Sequence, residues 1–491
     1  MSEAVRIRRN SLFSFLSISS RLISNVVVFL IVGSHYGPKI FGQFTIAHTF
    51  AIIFILFADF GFDVLLTTEV AKNRKSASTI FQRYFSIKIV FSLAALIAMW
   101  LLSLALHFSQ TSRVLILIFS FYVILTTLTN FLHALYKGLE RLEYETKVSL
   151  IVNVSLLILV FFLLIVKVDI IYIAVAFVST RFLGFIFAII YSFKVLPDIK
   201  YNLNFKEWRL LMSQVLIFGL QLIFGNLFFQ IDTIMLAFLK GDSSVGIYQA
   251  TIKLIALPLV IPDILINTLL PVLSRLNTEN ELLWVKLGGI LNKTLMIIIL
   301  PISIVLFTYP DFVINLIYPT GKYAATIPLL RIFALILFIR FSVESYALML
   351  TTSHKQKIRM FIVLIGTIFN FGVNLYIIPK YGVIGAAVIS LVTNLLVGFG
   401  YIITTLPLFY KWSLNFSYLL PIIIAAGISS ILWPIKEFEP IFMIPFIIVI
   451  CYFLLIRLSF SKEERNLVFK KGIDFPALFP KLKINKINES D

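Results

Sequence analysis

Charged side chains occur inside long apolar stretches of this sequence, where a charge is costly and is usually either paired or functional. They are Arg21, Asp59, Asp63, Lys88, Arg181, Asp232, Lys253, Asp263, Arg331, Arg340 and Glu344. Arginine is always charged and binds phosphate through two parallel hydrogen bonds, whereas a carboxylate can take up a proton or a cation. These residue types therefore predict recognition of an anion and coupling to an ion.

Three arginines lie close to the middle of their apolar stretches, where a side chain cannot easily reach the membrane surface. They are Arg21, Arg181 and Arg340. We expect them to face a water-filled cavity that receives an anionic substrate. The alternative is neutralisation by acids. Glu344 follows Arg340 by one helical turn, whereas Arg21 and Arg181 would need a partner from another helix.

Other charges have structural alternatives. Lys88 is near the end of its stretch, so its ammonium is expected to reach the membrane surface. Asp59 and Asp63 are one helical turn apart and could cap the basic loop that follows them. Asp232 and Lys253 lie at similar depth on consecutive helices and could form an ion pair.

Prolines add a further signal in the second half of the chain. Asp263 lies beside Pro258 and Pro262, which predicts a kink in that helix, and Pro301 predicts another. Interrupted helices commonly line transport sites, although proline is also simply more frequent in membrane helices.

The elements that position these charges are membrane-spanning helices. The chain has 491 residues, of which 60% are hydrophobic and 13% charged, and this composition excludes a soluble enzyme, a secreted disulfide scaffold and a disordered chain. The single cysteine, Cys451, excludes an internal disulfide. Apolar segments long enough to span a bilayer occur at about 12–34, 43–66, 85–107, 113–135, 148–167, 170–193, 213–238, 246–273, 290–309, 324–350, 359–379, 383–407, 417–434 and 440–458. The fold class predicted is an all-α integral membrane protein with about fourteen transmembrane helices.

The basic residues define a topology. The net charge is +18, and the lysines and arginines cluster in every second connecting segment, with single ones in the segments between. This is the positive-inside pattern. It predicts cytoplasmic N- and C-termini and a multi-pass protein of the cell inner (cytoplasmic) membrane, and it explains the positive charge without nucleic-acid binding.

Two sequence patterns recur in the same order. Gly42, followed two residues later by Phe44, is matched by Gly246, followed by Tyr248. Asn153 with the stretch 174–180 is echoed by Asn370 with the stretch 386–393. An even number of helices separates the copies, which predicts parallel repeats. We expect an N-terminal lobe of six helices (1–200) and a pseudo-symmetric C-terminal lobe of six (201–410) around a central cavity. Two extra helices (411–460) and a cytoplasmic tail (461–491) would follow.

Some functions lack the residues they need. No phosphate-binding glycine loop occurs, the five histidines are scattered, and no broad loop carries paired carboxylates. The sequence therefore predicts a protein that is not an enzyme and has no cofactor and no metal centre.

Several short stretches carry a resemblance to a known family. They are 36–44, 59–61 with 69–72, 137–141, 231–236 with 245–250, 270–275 and 374–387. In this order they resemble the polysaccharide transporters of the MATE-like (MOP) flippase superfamily, the Wzx-type O-antigen flippases. The resemblance implies two helical bundles whose cavity opens alternately to each side of the membrane. It also implies transfer of undecaprenyl-diphosphate-linked oligosaccharides to the outer leaflet, for O-antigen, lipopolysaccharide or capsule biosynthesis.

The resemblance also implies partners and residue roles. The partners are the lipid-linked oligosaccharide, membrane lipids, and the polymerase and chain-length proteins of the same pathway, with no nucleic acid. The related lipid II flippases keep a cavity arginine in the first helix, which corresponds to Arg21, and their two last helices form a lipid groove.

The site hypothesis combines these expectations. The cavity residues expected to bind diphosphate are Arg21, Arg181, Arg340, Arg331 and Lys253. The candidates for ion coupling are Glu344, Asp232, Asp263 and Asp59. The main alternative is a MATE-type cation-coupled exporter of drugs or metabolites, whose site would need acidic and aromatic residues without buried arginines. A membrane scaffold without transport and an enzyme of glycan assembly are further alternatives.

Overall fold

The computed structural model describes residues 3–106, 108–201, 203, 208, 219, 230–319, 321–413, 427, 430 and 440–459. Its helices are α1 (Glu3–Tyr36), α2 (Pro38–Asp59), α3 (Phe62–Lys72), α4 (Ala77–Ala105), α5 (Gln110–Gly138), α6 (Leu142–Ile165), α7 (Ile170–Val195), α8 (Gln230–Leu239), α9 (Asp242–Glu279), α10 (Glu281–Thr308), α11 (Pro310–Ile317), α12 (Thr326–Thr352), α13 (Gln356–Ser413) and α14 (Pro440–Ser459). Within these ranges ten helices are long and apolar enough to cross a membrane. The predicted all-α membrane class is confirmed.

Three predicted segments fall wholly or largely outside this description. They are residues 213–229 of the seventh expected helix, the expected helix 417–434 and the tail 461–491. The arrangement into two six-helix lobes with an extension stays a prediction.

Helix α13 is a hairpin of two antiparallel arms. A straight helix of 58 residues would be roughly 87 Å long, yet Asn370 Nδ2 donates a hydrogen bond to Thr393 Oγ1 at 3.4 Å. A Cβ atom on Gly400 would lie 2.8 Å from Ile362. The chain reverses at Gly382, whose φ of +58° is in the left-handed region that favours glycine. The two arms correspond to the expected segments 359–379 and 383–407.

The expected continuous helix 43–66 is wrong in one respect, because it is broken between α2 and α3. Phe60 and Gly61 have φ values of 44° and 86°, so the right-handed helix cannot continue through them. The backbone N–H of Asp63 donates to Asp59 Oδ1 at 3.2 Å across the break. The break thus places two aspartates on either side of a turn.

The two echoed glycines meet in space. A Cβ atom on Gly42 would lie 1.8 Å from the carbonyl oxygen of Asp242, and one on Gly246 would lie 1.8 Å from that of Pro38. Helices α2 and α9 therefore cross in backbone contact, which only glycine permits at these two positions. We call this contact the glycine crossing.

Polar contacts surround the glycine crossing. The carboxylate of Asp242 accepts hydrogen bonds from Gln43 Nε2 at 3.0 Å, Ser109 Oγ at 2.9 Å and Ser112 Oγ at 3.3 Å. Nearby, Tyr323 Oη donates to the carbonyl oxygen of Gly33 at 2.8 Å. The first and second halves of the chain are joined at this end of the molecule, which the charge pattern predicts to be the outer one.

Candidate functional site

A cavity of about 400 Å³ lies among α1, α3, α5, α6 and α7, and we call it the cationic cavity. Its polar lining is Arg21, Asp63, Thr67, Thr68, Thr129, Asn130, His133, Lys137, Glu145, Ser149, Asn153 and Arg181. Two of the three expected midplane arginines therefore share one cavity.

Hydrogen bonds between α1 and α6 hold Arg21 at the cavity wall. Ser17 Oγ donates to Ser149 Oγ at 2.9 Å, and Asn153 Nδ2 donates to Ser20 Oγ at 3.1 Å. The Arg21 side chain is accessible within the cavity and has no hydrogen bond or ion pair in the described part of the chain. Its donors are therefore available to a ligand.

Arg181 is positioned by an aromatic ring. Its guanidinium lies 5.2 Å from the Tyr122 ring centroid, and Nη2 donates to Tyr122 Oη at 3.3 Å. A guanidinium has five N–H donors, so most of them stay available beside the cavity. The carboxylate of Glu145, which lines the same cavity, instead pairs with Lys137 at 3.1 Å.

His133 also lines the cationic cavity and was not selected from the sequence. Its Nε2 atom is buried and has no hydrogen-bond partner among the residues described. A donor or acceptor of a ligand would satisfy it. Nothing in the local sequence distinguished this histidine from the other four.

A second cavity, of about 430 Å³, lies among α1, α2, α8, α9, α12 and α13, and we call it the mixed cavity. Its polar lining is Thr45, His48, Thr49, Gln230, Asp232, Tyr248, Gln249, Lys253, Asp263, Arg340, Glu344, Asn370, Ser390, Thr393 and Asn394. The structure thus divides the cations expected in one cavity: Lys253 and Arg340 line the mixed cavity, whereas Arg21 and Arg181 line the cationic one. Which cavity a cation lines depends on the face of the helix that carries it, and the position of a residue along its span does not specify that face.

Asp232 is bound by uncharged donors. Tyr248 Oη donates to its Oδ2 at 2.7 Å, Asn374 Nδ2 donates to Oδ1 at 2.9 Å, and the Ser390 hydroxyl also donates to Oδ2. The ion pair with Lys253 that the sequence left open does not form. Lys253 Nζ lies 3.9 Å from the ring centroid of Phe29 instead.

The other carboxylates of the mixed cavity are near arginines. Asp263 and Glu344 both interact electrostatically with Arg340, and Glu344 Oε1 lies 3.8 Å from Arg359 Nη2. The expected local interaction between Arg340 and Glu344 is therefore shared with Asp263 and Arg359. Helix α9 continues through the prolines beside Asp263 without ending.

The prediction that Lys88 reaches the membrane surface is wrong. Its side chain is fully buried, and Nζ lies 2.8 Å from both Asp59 Oδ1 and Asp63 Oδ1. The two aspartates therefore hold a lysine from α4 rather than capping the basic loop. The one-turn spacing of the aspartates indicated that they act together. Their partner could not be predicted, because it depends on how α4 packs against them.

Arg331 lies outside both cavities. Its Nη2 atom is 3.9 Å from Asp311 Oδ2, and both side chains are partly exposed. The expectation that Arg331 shares a cavity with the other cations is not met, because it lies in the second turn of α12, near the helix end.

A block of packed aromatic rings lies between the two cavities and was not predicted from the sequence. His48 contacts the rings of Phe29, Phe119, Tyr122 and Phe177, with centroid distances between 4.7 and 6.1 Å. Lys253 rests on Phe29 at one side, and Arg181 rests on Tyr122 at the other. Both cations are thereby held by ring faces, which attract positive charge.

The fold and the two cavities define a multi-pass helical membrane protein with polar chambers among its packed helices. The chain belongs to the polysaccharide biosynthesis protein family, whose model matches residues 7–277. The residues that form the cationic cavity all lie within this match.

Solved structures of low sequence identity share this fold. The lipid II flippase MurJ, in an inward closed conformation, aligns with a TM-score of 0.71 and 17% identity over 90% of this chain and 97% of its own. An inward-facing multidrug resistance MATE family transporter of the MOP superfamily aligns with a TM-score of 0.62 and 13% identity, over 81% of this chain and 94% of its own. A MOP superfamily transporter from Pyrococcus furiosus is described as having a binding pocket of reverse polarity. It aligns with a TM-score of 0.59 and 14% identity, over 82% of this chain and 95% of its own.

One curated relative is an uncharacterized membrane protein of Methanocaldococcus jannaschii. It is 31% identical over 121 residues, which cover 24% of this chain and 22% of that protein. The chain thus matches about a fifth of the length of this relative.

Proposed function

We propose that this protein is a flippase. It would carry undecaprenyl-diphosphate-linked oligosaccharide repeat units across the cytoplasmic membrane, for surface polysaccharide (O-antigen or capsule) biosynthesis. The observation that carries the proposal is the pair of guanidinium groups, Arg21 and Arg181, lining one cavity, neither of them in an ion pair within the described part of the chain. Membership in a polysaccharide biosynthesis family supports it.

The chemistry of the substrate explains why such a cavity is needed. A diphosphate and several sugars must cross about 30 Å of hydrocarbon while the polyprenyl tail stays in lipid. Guanidinium groups held at the cavity wall can replace the water around the phosphates with charge-assisted hydrogen bonds. Hydroxyl groups of Thr67, Thr68 and Ser149 line the same cavity and can add neutral donors.

We propose rocking of two lobes, 1–200 and 201–410, as the movement that alternates access. The glycine crossing would close the outer side, and the termini would be cytoplasmic. The MurJ and MATE folds, found in proteins described as a flippase and as transporters, support a transport cycle of this kind. Polymerase and chain-length proteins would act on the product outside.

Asp232 is the carboxylate that we propose for ion coupling. Asp59 and Asp63 are tied to Lys88, and Asp263 and Glu344 are near arginines. Asp232 has only neutral hydrogen-bond donors around it, so a proton or a small cation can compete with them for its charge. The oxygens of Ser390, Thr393 and Asn370 line the same part of the mixed cavity.

A second candidate is a cation-coupled exporter of drugs or metabolites. The carboxylates of the mixed cavity and the likeness to MATE folds favour it, whereas the arginines of the cationic cavity oppose it. Efflux of a cationic dye from a sensitised host, measured with and without the protein, separates the two proposals. Efflux that survives Arg21→Gln and Arg181→Gln would favour the exporter.

The test of the flippase proposal uses a host whose own repeat-unit flippase is deleted and whose surface glycan depends on this protein. Arg21→Gln and Arg181→Gln should each reduce surface glycan strongly, and the double variant should abolish it. Arg74→Gln is the matched control, because Arg74 is exposed and pairs with Glu140 away from the cavity. Full surface glycan from the double variant, at normal protein level in the membrane, would refute the proposal.

A further inference from the structure

Lys253 lines the mixed cavity and is therefore not part of the diphosphate site that we propose in the cationic cavity. Its ammonium lies 3.9 Å from the Phe29 ring centroid, and within the described ranges it has no ion pair and no hydrogen bond. A lysine at this depth is expensive unless it meets an anion or water. A negatively charged group that enters the cavity with the substrate would therefore find an ammonium without a competing protein partner.

The carboxylates of the mixed cavity do not supply that negative charge. Asp232 is occupied by Tyr248, Asn374 and Ser390. Asp263 lies ten residues along α9 from Lys253, about 15 Å away at the helical rise, where it interacts with Arg340. Asp263 and Glu344 thus lie near Arg340, Asp232 is held by neutral donors, and Lys253 is left without a carboxylate partner in the described part of the chain.

The surroundings of Lys253 suit a carbohydrate. Ile252 and Leu259 give the mixed cavity apolar surface. The amide side chains of Gln249 and Asn394 line the same cavity, and their oxygens can accept hydrogen bonds from hydroxyl groups. The volume of about 430 Å³ is within the range of small-ligand pockets. A group with hydroxyls, an apolar ring face and one carboxylate fits this lining.

We infer that Lys253 binds the carboxylate of an acidic sugar in the transported oligosaccharide, so that this protein prefers repeat units containing a hexuronic acid. The inference rests on the proposed function. It assigns the diphosphate to Arg21 and Arg181 and the charged sugar to Lys253. The aromatic block, with one cation at each side, separates these two subsites.

The experiment measures binding of three probes to the purified full-length protein in detergent by native mass spectrometry. The probes are undecaprenyl diphosphate, the same lipid carrying a trigalacturonate, and its carboxyl-reduced counterpart carrying a trigalactoside. With an acid on every sugar, the position of the charge along the glycan does not matter. We expect the acidic probe to bind about tenfold more tightly than the neutral one, the order expected of one charge-assisted hydrogen bond.

Variants assign the preference to a residue. Lys253→Gln should remove the tenfold preference and leave the affinity for the trigalactoside unchanged, whereas Lys253→Arg should keep the preference. Lys147→Gln is the matched control, because Lys147 also rests on a ring, at 5.2 Å from Tyr144, but is exposed. Equal binding of the acidic and neutral probes to the wild-type protein, or a preference that persists in Lys253→Gln, would overturn the inference.

The same measurements separate this inference from the proposed function. Arg21→Gln with Arg181→Gln should weaken all three probes by a similar factor, since all carry the diphosphate. If undecaprenyl diphosphate binds the double variant as well as the wild type, the diphosphate site is refuted, and the inference that depends on it falls too. If only the sugar preference is missing, the flippase proposal stands and Lys253 has no such role.

Discussion

Substitution of Gly42 by alanine should force α2 and α9 apart at the glycine crossing. The new Cβ would lie 1.8 Å from the carbonyl oxygen of Asp242 and 2.9 Å from the backbone nitrogen of Gly246, and side-chain carbons do not approach other atoms closer than 3.0 Å. The clash is with backbone atoms, which cannot rotate away. The helices must therefore separate, or the crossing must be lost.

The magnitude follows from the cost of overpacking, about 1–3 kcal/mol for an added methyl group in a close-packed contact. A shift of that size changes a two-state population by roughly five- to 150-fold. The separation also weakens the hydrogen bonds from Gln43 and Ser109 to Asp242, which depend on the same approach. The state with the crossing in contact would lose population, relative to the separated state, by that factor.

The assay is continuous-wave EPR of nitroxide labels on Lys39→Cys and Ser243→Cys, two exposed positions on either side of the crossing, in a Cys451→Ser background. Wild-type protein should show strong dipolar broadening, and Gly42→Ala should reduce it.

Gly372→Ala is the control, because a Cβ there meets no atom within 4 Å. Gly246→Ala should act like Gly42→Ala. Unchanged broadening in both crossing variants would show that the backbones are not in contact, and the reasoning would fail.

Three further predictions concern single residues. Lys88→Met should destabilise the protein by about 3 kcal/mol, the lower end of the range for a broken buried ion pair, since it leaves the buried carboxylate of Asp59 and the partly exposed one of Asp63 without their cation. The melting temperature in detergent should fall, and adding Asp59→Asn and Asp63→Asn should restore part of it, whereas no fall would contradict the ion pairs of Lys88. Asp232→Asn should abolish the dependence of transport on the ion gradient while the protein still binds undecaprenyl diphosphate, as measured in proteoliposomes with and without an imposed gradient; unaltered gradient dependence would eliminate Asp232 as the coupling group. Arg181→Lys should retain the charge but lose the planar, two-point contact and the stacking on Tyr122, so its affinity for undecaprenyl diphosphate should fall about tenfold; an affinity equal to wild type would mean that charge alone suffices.

The sequence predicted the class of fold and most of the described helices because hydropathy and segment length report directly on membrane spans. It also predicted that the segments around Gly42 and Gly246 are related. It did not predict that the two glycines touch, because the repeat relates a position in one half to its counterpart in the other and does not specify how the halves pack. The break at Phe60 and Gly61 was missed because the surrounding residues are as apolar as a continuous span.

The candidate site residues were selected by residue type and depth, and the sequence did not predict how they are grouped in the two cavities. Arg21 and Arg181 were expected to share a cavity and do so. Arg340, Lys253 and Arg331 were grouped with them because depth along a helix can be read from sequence, whereas the direction in which each side chain faces depends on tertiary packing. The contacts of Lys88 with Asp59 and Asp63 were missed for a related reason. The rule that a lysine near a helix end reaches the surface does not hold where carboxylates inside the protein are closer.

We propose that Arg21 and Arg181 receive the diphosphate of a lipid-linked oligosaccharide during its transfer across the membrane. The most direct measurement is the transbilayer movement of a fluorescent undecaprenyl-diphosphate-linked oligosaccharide in proteoliposomes, followed by quenching of the dye in the outer leaflet. Wild-type protein and Arg74→Gln should move the lipid well above the rate of protein-free vesicles, and the Arg21→Gln, Arg181→Gln double variant should fall to that background rate. Movement by the double variant at the wild-type rate would contradict the account.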